Sequence, residues 1–191
     1  MILSLAFGDT VYHGTIDLFT STLIKGIDIK RGGKTVDFGQ GFYATFNLNQ
    51  AKSWARKRAE SYNRTSFSSK DFAEPVILEY SFDLKKLVYL KGKIFDNPDI
   101  EWAKFIYHNR SKLNRVIHHH DYVYGLVADG KTNELIYELD NDTISLETFR
   151  KSIEFKGEND QISFHSKSAI TSLTLISEVR KNGKRINVGK K

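Results

Sequence analysis

The sequence contains no cysteine, which excludes disulfide bonds, thiolate metal ligands and a cysteine nucleophile together. It also has no apolar run near the roughly 20 residues that a membrane helix needs, so we expect a soluble protein without a membrane partner. The apolar residues 1–7 lack positive charge and are soon followed by Asp9, which argues against a signal peptide. We expect a cytoplasmic location, or delivery into the cytoplasm of a target cell. No stretch is rich in proline or in glycine and serine, so we predict a single domain over residues 1–180, followed by a basic tail over residues 181–191.

What the chain does have is material for a folded core and a basic surface. Of its residues, 40% are hydrophobic and 13% are aromatic, a richer content than disordered chains have. Lysine and arginine outnumber aspartate and glutamate by 29 to 23, and the excess is concentrated in residues 52–64 and 180–191. A net charge of +6 favours polyanionic partners, although on charge alone a solvated basic surface is the simpler interpretation.

Local patterns predict both strands and helices. Short runs of β-branched and aromatic residues predict five strands, at residues 10–13, 41–45, 76–82, 121–127 and 161–164. Apolar residues at helical spacing predict three helices: one over residues 51–62, one with Pro98 in its first turn, and one after Ser145. Strands and helices do not alternate as in a parallel doubly wound sheet, so the predicted fold class is α+β, with a mainly antiparallel sheet core and peripheral helices.

Several familiar motifs are absent: there is no Walker loop, no GxGxxG between a strand and a helix, and no HExxH. The segment 31–41 holds four glycines, which allow close approach of the backbone to another group. Within it, Asp37-Phe38-Gly39 matches a kinase magnesium motif, but the catalytic loop and strand lysine of a kinase are missing. At His118-His119-His120 we expect no metal, because adjacent strand residues alternate between faces.

Four blocks of sequence carry a family resemblance. They are residues 11–15 (VYHGT), 37–45 (DFGQGFYAT), 121–129 (DYVYGLVAD) and 160–165 (DQISFH), and each alone is a weak signal. In this order they resemble the ADP-ribosyltransferases, and more closely a small, toxin-type bacterial family in the His-Tyr-Glu branch of that superfamily. The resemblance spans Tyr12 to Leu173. It implies an ADP-ribosyltransferase-like split β-sheet core.

The resemblance also implies that NAD is the substrate, with no metal. Tyr43 and Trp54, eleven residues apart, are expected to stack on the cationic nicotinamide. His13 is expected to bond a ribose hydroxyl, and the Gly14 backbone to bond the nicotinamide amide. The other residues assigned to NAD are Thr15 and Phe42, from the same blocks, and Arg31, which with Lys34 is suited to the pyrophosphate.

The catalytic set implied by the resemblance is His13, Tyr43 and Gln161, and the third member departs from the family pattern. A glutamate is usual at that place, where it stabilises an oxocarbenium-like ribose. A glutamine accepts a hydrogen bond from a ribose hydroxyl and orients the acceptor, but it supplies no negative charge and cannot act as a general base. If a base is needed, the candidates are Glu158, Asp160 and His165, and an acceptor that is already nucleophilic would need none.

Transfer of a single ADP-ribose is therefore expected, because polymer extension uses the missing glutamate. The resemblance indicates a bacterial toxin or phage-defence effector, which implies an antitoxin protein as partner. The basic surface favours RNA as acceptor by a small margin over protein, with DNA as a third candidate, and the helix residues Lys52, Arg56 and Lys57 form either a plain amphipathic surface or a groove for it. Two alternatives stay open: a catalytically silent NAD- or nucleic-acid-binding module, which Gln161 favours, and an NAD glycohydrolase that uses water as acceptor.

Overall fold

The computed structural model describes residues 8–66, 68, 71–129, 131–154, 159–180 and 183–188. Within these ranges there are eight strands and six α-helices. In chain order they are β1 (Thr10–Ile16), α1 (Asp17–Lys25), β2 (Phe42–Ala44), α2 (Leu48–Asn63), β3 (Pro75–Phe82), β4 (Gly92–Ile94), α3 (Ile100–Arg110), β5 (Tyr122–Leu126), α4 (Thr132–Asp140), α5 (Leu146–Ile153), β6 (Asp160–Phe164), α6 (Lys167–Ile170), β7 (Leu173–Arg180) and β8 (Arg185–Asn187). None of the helices in the described ranges combines the length and the hydropathy needed to cross a bilayer.

All five predicted strands and all three predicted helices are present, as β1, β2, β3, β5 and β6 and as α2, α3 and α5. One boundary differs from the prediction. The side chain of Asp99 accepts a hydrogen bond from the Trp102 N–H and caps α3, so Pro98 precedes the helix instead of lying in its first turn. The two sheets are mostly antiparallel, which confirms the predicted α+β class.

Two compact units make up the chain, and each is built from separate stretches of it. The first takes the described residues of Met1–Asp28, Ala44–Val88 and Ile170–Lys191, and the second takes those of Ile29–Tyr43 and Tyr89–Ala169. The chain therefore passes between the units four times. The interpretation of residues 1–180 as a single domain stays a prediction.

In the first unit, α2 packs against a sheet with the strand order β1-β3-β7-β8. Its three pairings are antiparallel. The side chain of Asn47 accepts the N–H groups of the first turn and starts α2. The helix buries only small side chains, those of Ala51, Ala55 and Ala59, which lets its backbone approach β1 closely.

Three residues of the predicted basic tail form β8, which pairs with β7. Arg185 of β8 lies 3.3 Å from the carboxylate of Glu79, a buried residue of β3. Ser177 of β7 donates to the same carboxylate at 2.5 Å. A buried carboxylate needs such partners, so this part of the tail has a structural role.

In the second unit, helices pack on a sheet with the order β2-β6-β5-β4. Strand β5 pairs antiparallel with β6 and parallel with β4. The core combines large side chains from the sheet, from α3 and from α5, among them Phe38, Trp102, Ile106, Val123 and Phe149. Phe38 belongs to the loop that precedes β2, so its burial anchors this loop to the core.

Candidate functional site

Gly14 lies in β1 at the point where α2 packs on it. Side chains alternate along a strand, so Tyr12, Gly14 and Ile16 share one face. A Cβ atom at Gly14 would overlap the Ala51 carbonyl oxygen and would lie 3.0 Å from the Ala55 nitrogen. Packing of α2 therefore requires glycine at this place. This requirement concerns the missing side chain, and it is compatible with the expected bond from the Gly14 backbone to nicotinamide.

The other residues that the resemblance assigns in the first unit differ in exposure. His13 is half-buried, and Thr15 is fully buried, so the Thr15 side chain is not available to a ligand. Trp54 is 58% exposed on α2, which excludes the interpretation that it is an ordinary core aromatic. Its ring is thus open to a stacking partner.

In the second unit, residues 38–40 form a loop in which three successive carbonyl groups accept hydrogen bonds from side chains. The carbonyls of Phe38, Gly39 and Gln40 accept from His118 Nε2 at 2.7 Å, from Tyr43 Oη at 2.6 Å and from His165 Nδ1 at 2.9 Å, respectively. A carbonyl oxygen only accepts, so each histidine nitrogen involved carries the proton. We name residues 38–40 the pinned loop.

Gly39 shows why the pinned loop contains a glycine. Its φ of 81° lies in the left-handed region that side chains disfavour. A Cβ atom there would also lie 2.7 Å from Asn109 Oδ1 and 3.3 Å from His118 Nε2. The close backbone approach predicted for this segment is, at Gly39, an approach to side chains of the same unit.

Tyr43 uses its hydroxyl inside the protein. Besides donating to the Gly39 carbonyl, Oη accepts from the Phe38 N–H at 3.0 Å. Burial, and next the negative charge of Asp37, raise the pKa of Tyr43 well above 10, so the hydroxyl stays protonated and can donate. The ring stands edge-on to His165, with 6.4 Å between the ring centroids. Any ligand contact of Tyr43 therefore falls on the ring, as stacking requires.

Two of the three candidate bases are described, and both have partners. His165 Nε2 lies 2.8 Å from the hydroxyl of the fully buried Ser163, and burial lowers the pKa of His165 to about 4. Asp160 accepts a hydrogen bond of 2.9 Å from the Tyr124 hydroxyl. Glu158 lies outside the described residues. Both described candidates therefore have at least one partner inside the protein.

The histidine run was expected to hold no metal, and His118 has a structural use instead. His118 Nδ1 accepts the His120 N–H at 3.2 Å while Nε2 donates to the pinned loop. Its ring also meets that of His165 edge-on at 4.6 Å. Across the described ranges of the chain, no group of three or more histidine, aspartate or glutamate side chains is placed to hold a metal ion.

Acidification is expected to destabilise the protein through His165. Because burial lowers its pKa in the fold to about 4 from an ordinary value of 6.5, the unfolded chain takes up the proton first. The stabilisation is complete above pH 6.5 and is lost toward pH 4, at about 1.4 kcal/mol per pH unit. Melting temperatures across this range should fall less steeply in His165→Asn, whose amide can still donate to Gln40. The exposed His119→Asn is the control, and equal slopes in all three proteins would contradict the assignment.

Gln161 is hydrogen-bonded to a buried ion pair. Its Nε2 donates to Asp37 Oδ2 at 3.0 Å, and Asp37 Oδ1 lies 2.5 Å from Arg110 Nη1. The Ala128 N–H donates to the same Oδ2 at 3.2 Å. The second and fourth sequence blocks therefore meet, although the two residues are 124 positions apart.

The remaining assigned residues of this unit are partly internal. Phe42 is 5% exposed, and its ring packs against that of Phe164. Arg31 and Lys34 are exposed on the segment before the pinned loop. The Gln40 side chain ties this segment down by donating to the carbonyls of Lys30 and Gly32. Of these three assigned residues, only the two cations are placed where a phosphate can reach them.

Sequence reasoning did not find Arg110 or His118. Arg110 ends α3, where a basic residue is ordinary because it interacts with the helix dipole. His118 was considered only as a metal ligand. Their partners in the fold, Asp37 and Phe38, lie 73 and 80 positions away, and no local pattern marks such pairs.

The chain is an α+β protein with two mostly antiparallel sheets. A profile of the family described as "Protein of unknown function (DUF3990)" matches residues 10–175. Because this match covers most of the chain, the protein belongs to that family. No curated protein and no solved structure matches it.

Proposed function

We propose that this protein is an NAD-dependent mono-ADP-ribosyltransferase of the toxin or phage-defence type, with RNA as its favoured acceptor. The observation that carries the proposal is the hydrogen bond between Gln161 and Asp37. It brings together two sequence blocks that were assigned to one site from their resemblance alone. The exposure of Trp54 adds support, because it leaves an aromatic ring open for stacking.

In the proposed reaction, the bond between the nicotinamide nitrogen and ribose C1 breaks, and its electron pair leaves with nicotinamide. A nucleophilic atom of the acceptor bonds to C1 and loses its proton to solvent or to a base. The resemblance assigns the nicotinamide to the rings of Tyr43 and Trp54 and a ribose hydroxyl to His13. The Gln161 side-chain oxygen accepts a hydrogen bond from a second ribose hydroxyl, which holds the sugar in place for attack.

RNA is favoured by the surface of α2. The helix carries four cations, Lys52, Arg56, Lys57 and Arg58, against a single glutamate. The cations do not form one face, because successive helical residues are turned by about 100°. Arg58 lies 5.4 Å from the centroid of the exposed Phe19 ring. An open depression of about 450 Å³ at the end of the helix is lined by Arg64 and Phe72 together with Glu60 and Asn63. Cations beside exposed rings suit the phosphates and bases of a single strand.

Single substitutions of His13 and Tyr43 test the chemistry. His13→Ala and Tyr43→Ala are each expected to lower ADP-ribosyl transfer at least about 100-fold, because each removes a group that holds the reacting nucleotide. The protein is incubated with labelled NAD and cell extract, and the products are divided by RNase, DNase and protease treatment. The exposed His119→Ala and Tyr89→Ala are the matched controls and should keep full activity.

The outcomes separate the candidate functions. RNase-sensitive label supports the proposal. DNase- or protease-sensitive label supports a transferase whose acceptor is DNA or protein instead of RNA. Release of nicotinamide without labelled macromolecules identifies a glycohydrolase. The absence of a carboxylate at Gln161 favours one rival, a silent NAD-binding module, and NAD binding without any product would establish it.

A further inference from the structure

We infer that Asp37 and Arg110 are positioning residues that orient the amide of Gln161 and make glutamine, not glutamate, the residue this site requires. The inference rests on the proposed function, because it assigns the Gln161 oxygen to the ribose. It concerns a different question, which is what orients the side chain at position 161 and why that side chain is an amide.

The orientation of the Gln161 amide follows from donor and acceptor chemistry. The Asp37 carboxylate only accepts, so the atom of Gln161 that lies 3.0 Å from it is Nε2. The amide oxygen is then on the other side of the group. Among the described residues Oε1 has no hydrogen-bond partner, and it is not a buried atom. A ribose hydroxyl or water can therefore donate to it.

The carboxylate that sets this orientation is itself held firmly. Asp37 is 6% exposed, and its carboxylate accepts hydrogen bonds from Arg110, the Ala128 N–H and Gln161. Arg110 is held in turn by Asn133, which accepts from Nη2 at 2.9 Å. Each donor reaches a defined carboxylate oxygen, so the group has little freedom to turn.

The Asp37 carboxylate also polarises the Gln161 amide. A carboxylate bonded to the N–H side makes Oε1 a stronger acceptor than that of an isolated glutamine. Because Arg110 balances the charge of Asp37, the ribose meets a polarised amide oxygen and not a net negative charge. A glutamate at position 161 would instead face a second buried carboxylate at about the same 3.0 Å separation, which is strongly unfavourable for both charges.

A polarity exchange tests the inference. Gln161→Glu alone is expected to lower the melting temperature by about 5 °C or more and kcat for NAD turnover by about tenfold or more, with a smaller change in KM. The double variant Asp37→Asn/Gln161→Glu should recover much of both losses, because the asparagine amide can donate to the new carboxylate while its oxygen still accepts from Arg110. Recovery should be incomplete, since the Ala128 N–H loses its acceptor. Exposed Asp142→Asn combined with Gln161→Glu is the matched control and should recover nothing.

The melting temperatures of the single and double variants test the contact between Asp37 and position 161, and kcat tests the role of Gln161 in the reaction. Additive losses in the double variant, or a Gln161→Glu protein as stable and active as the original, would overturn the inference. Recovery of stability without recovery of kcat would assign Asp37 a purely structural role and also overturn it. If the original protein turns over no NAD, the proposed function and the ribose-facing role of Gln161 fail. Recovery of the melting temperature in the double variant would still show that Asp37 determines which side chain is stable at position 161.

Discussion

Replacing Arg110 by methionine is expected to destabilise the protein by about 3–5 kcal/mol, because the substitution leaves a buried carboxylate without its cation. The Asp37 side chain is 8% exposed and lies 2.5 Å from the guanidinium. Methionine retains much of the arginine chain length, so the loss reflects charge more than packing. Urea unfolding at neutral pH measures the difference.

The control for this prediction is an ion pair of the same kind on the surface. Lys131 and Glu134 lie 3.1 Å apart, with both side chains mostly exposed. Lys131→Met is expected to change stability by about 0.5 kcal/mol or less, because water already screens the pair. In the buried pair, adding Asp37→Asn to Arg110→Met should restore part of the loss by removing the stranded charge. A double variant as unstable as Arg110→Met would show that the charge is not the cause.

Gly14→Ala is expected to cost about 2 kcal/mol or more, and to lower NAD turnover with it. The added methyl group would overlap the Ala51 carbonyl and press on the Ala55 backbone, so α2 must shift away from β1. Backbone atoms cannot yield as a flexible side chain does. Denaturant unfolding is the measurement, compared with nucleotide binding by the same protein.

Gly8→Ala is the matched control, since a Cβ atom there would meet nothing within 4 Å. It should leave stability almost unchanged. A stable Gly14→Ala protein would contradict the close packing of α2 on β1. If that protein also lost NAD binding, the backbone contact with nicotinamide would become the better explanation of the glycine.

The three helices predicted from sequence have a polar side-chain cap, and the four-residue α6, which Ser166 caps, is too short to show a helical period. Asn47, Ser145 and Asp99 cap α2, α5 and α3, and each is a residue type that marks a helix start. In contrast, α1 follows β1 directly from Ile16, and α4 follows Lys131, with no side-chain cap in either case. These two helices were missed because nothing local announces them.

Likewise, strands with a clear sequence pattern were predicted, and strands without one were missed. The five predicted strands are marked by runs of β-branched and aromatic residues, whereas β7 buries Ser177 and Glu178 and exposes Ile176, against the usual hydrophobic pattern. Buried Ser177 donates to Glu79, and the charge of buried Glu178 lies next to that of Arg180. Strand β4 has three residues and is too short to show a period. Tertiary contacts, which sequence periodicity does not contain, decide both strands.

For the candidate site, the blocks identified Tyr43 and Gln161 but not the groups that hold them. Asp37 was seen only as part of a sequence block and of a rejected kinase motif. Its significance comes from Arg110 and Gln161, which reach it from distant positions. Orientation of a side chain depends on such contacts, so the sequence could suggest Gln161 as a candidate without explaining what orients its amide.

The path of the chain between the two units has a consequence for biosynthesis. The second unit has all its residues once Ala169 has been translated, whereas β3 of the first unit must wait for β7. The hydrogen bond between Glu79 and Ser177 spans 98 positions. Until β7 leaves the ribosome, one edge of β3 has unpaired backbone groups that can pair with a strand of another chain. Chaperones commonly act on such incompletely folded chains. The sheet that carries His13 and Gly14 is therefore completed only when nearly all of the protein has been synthesised.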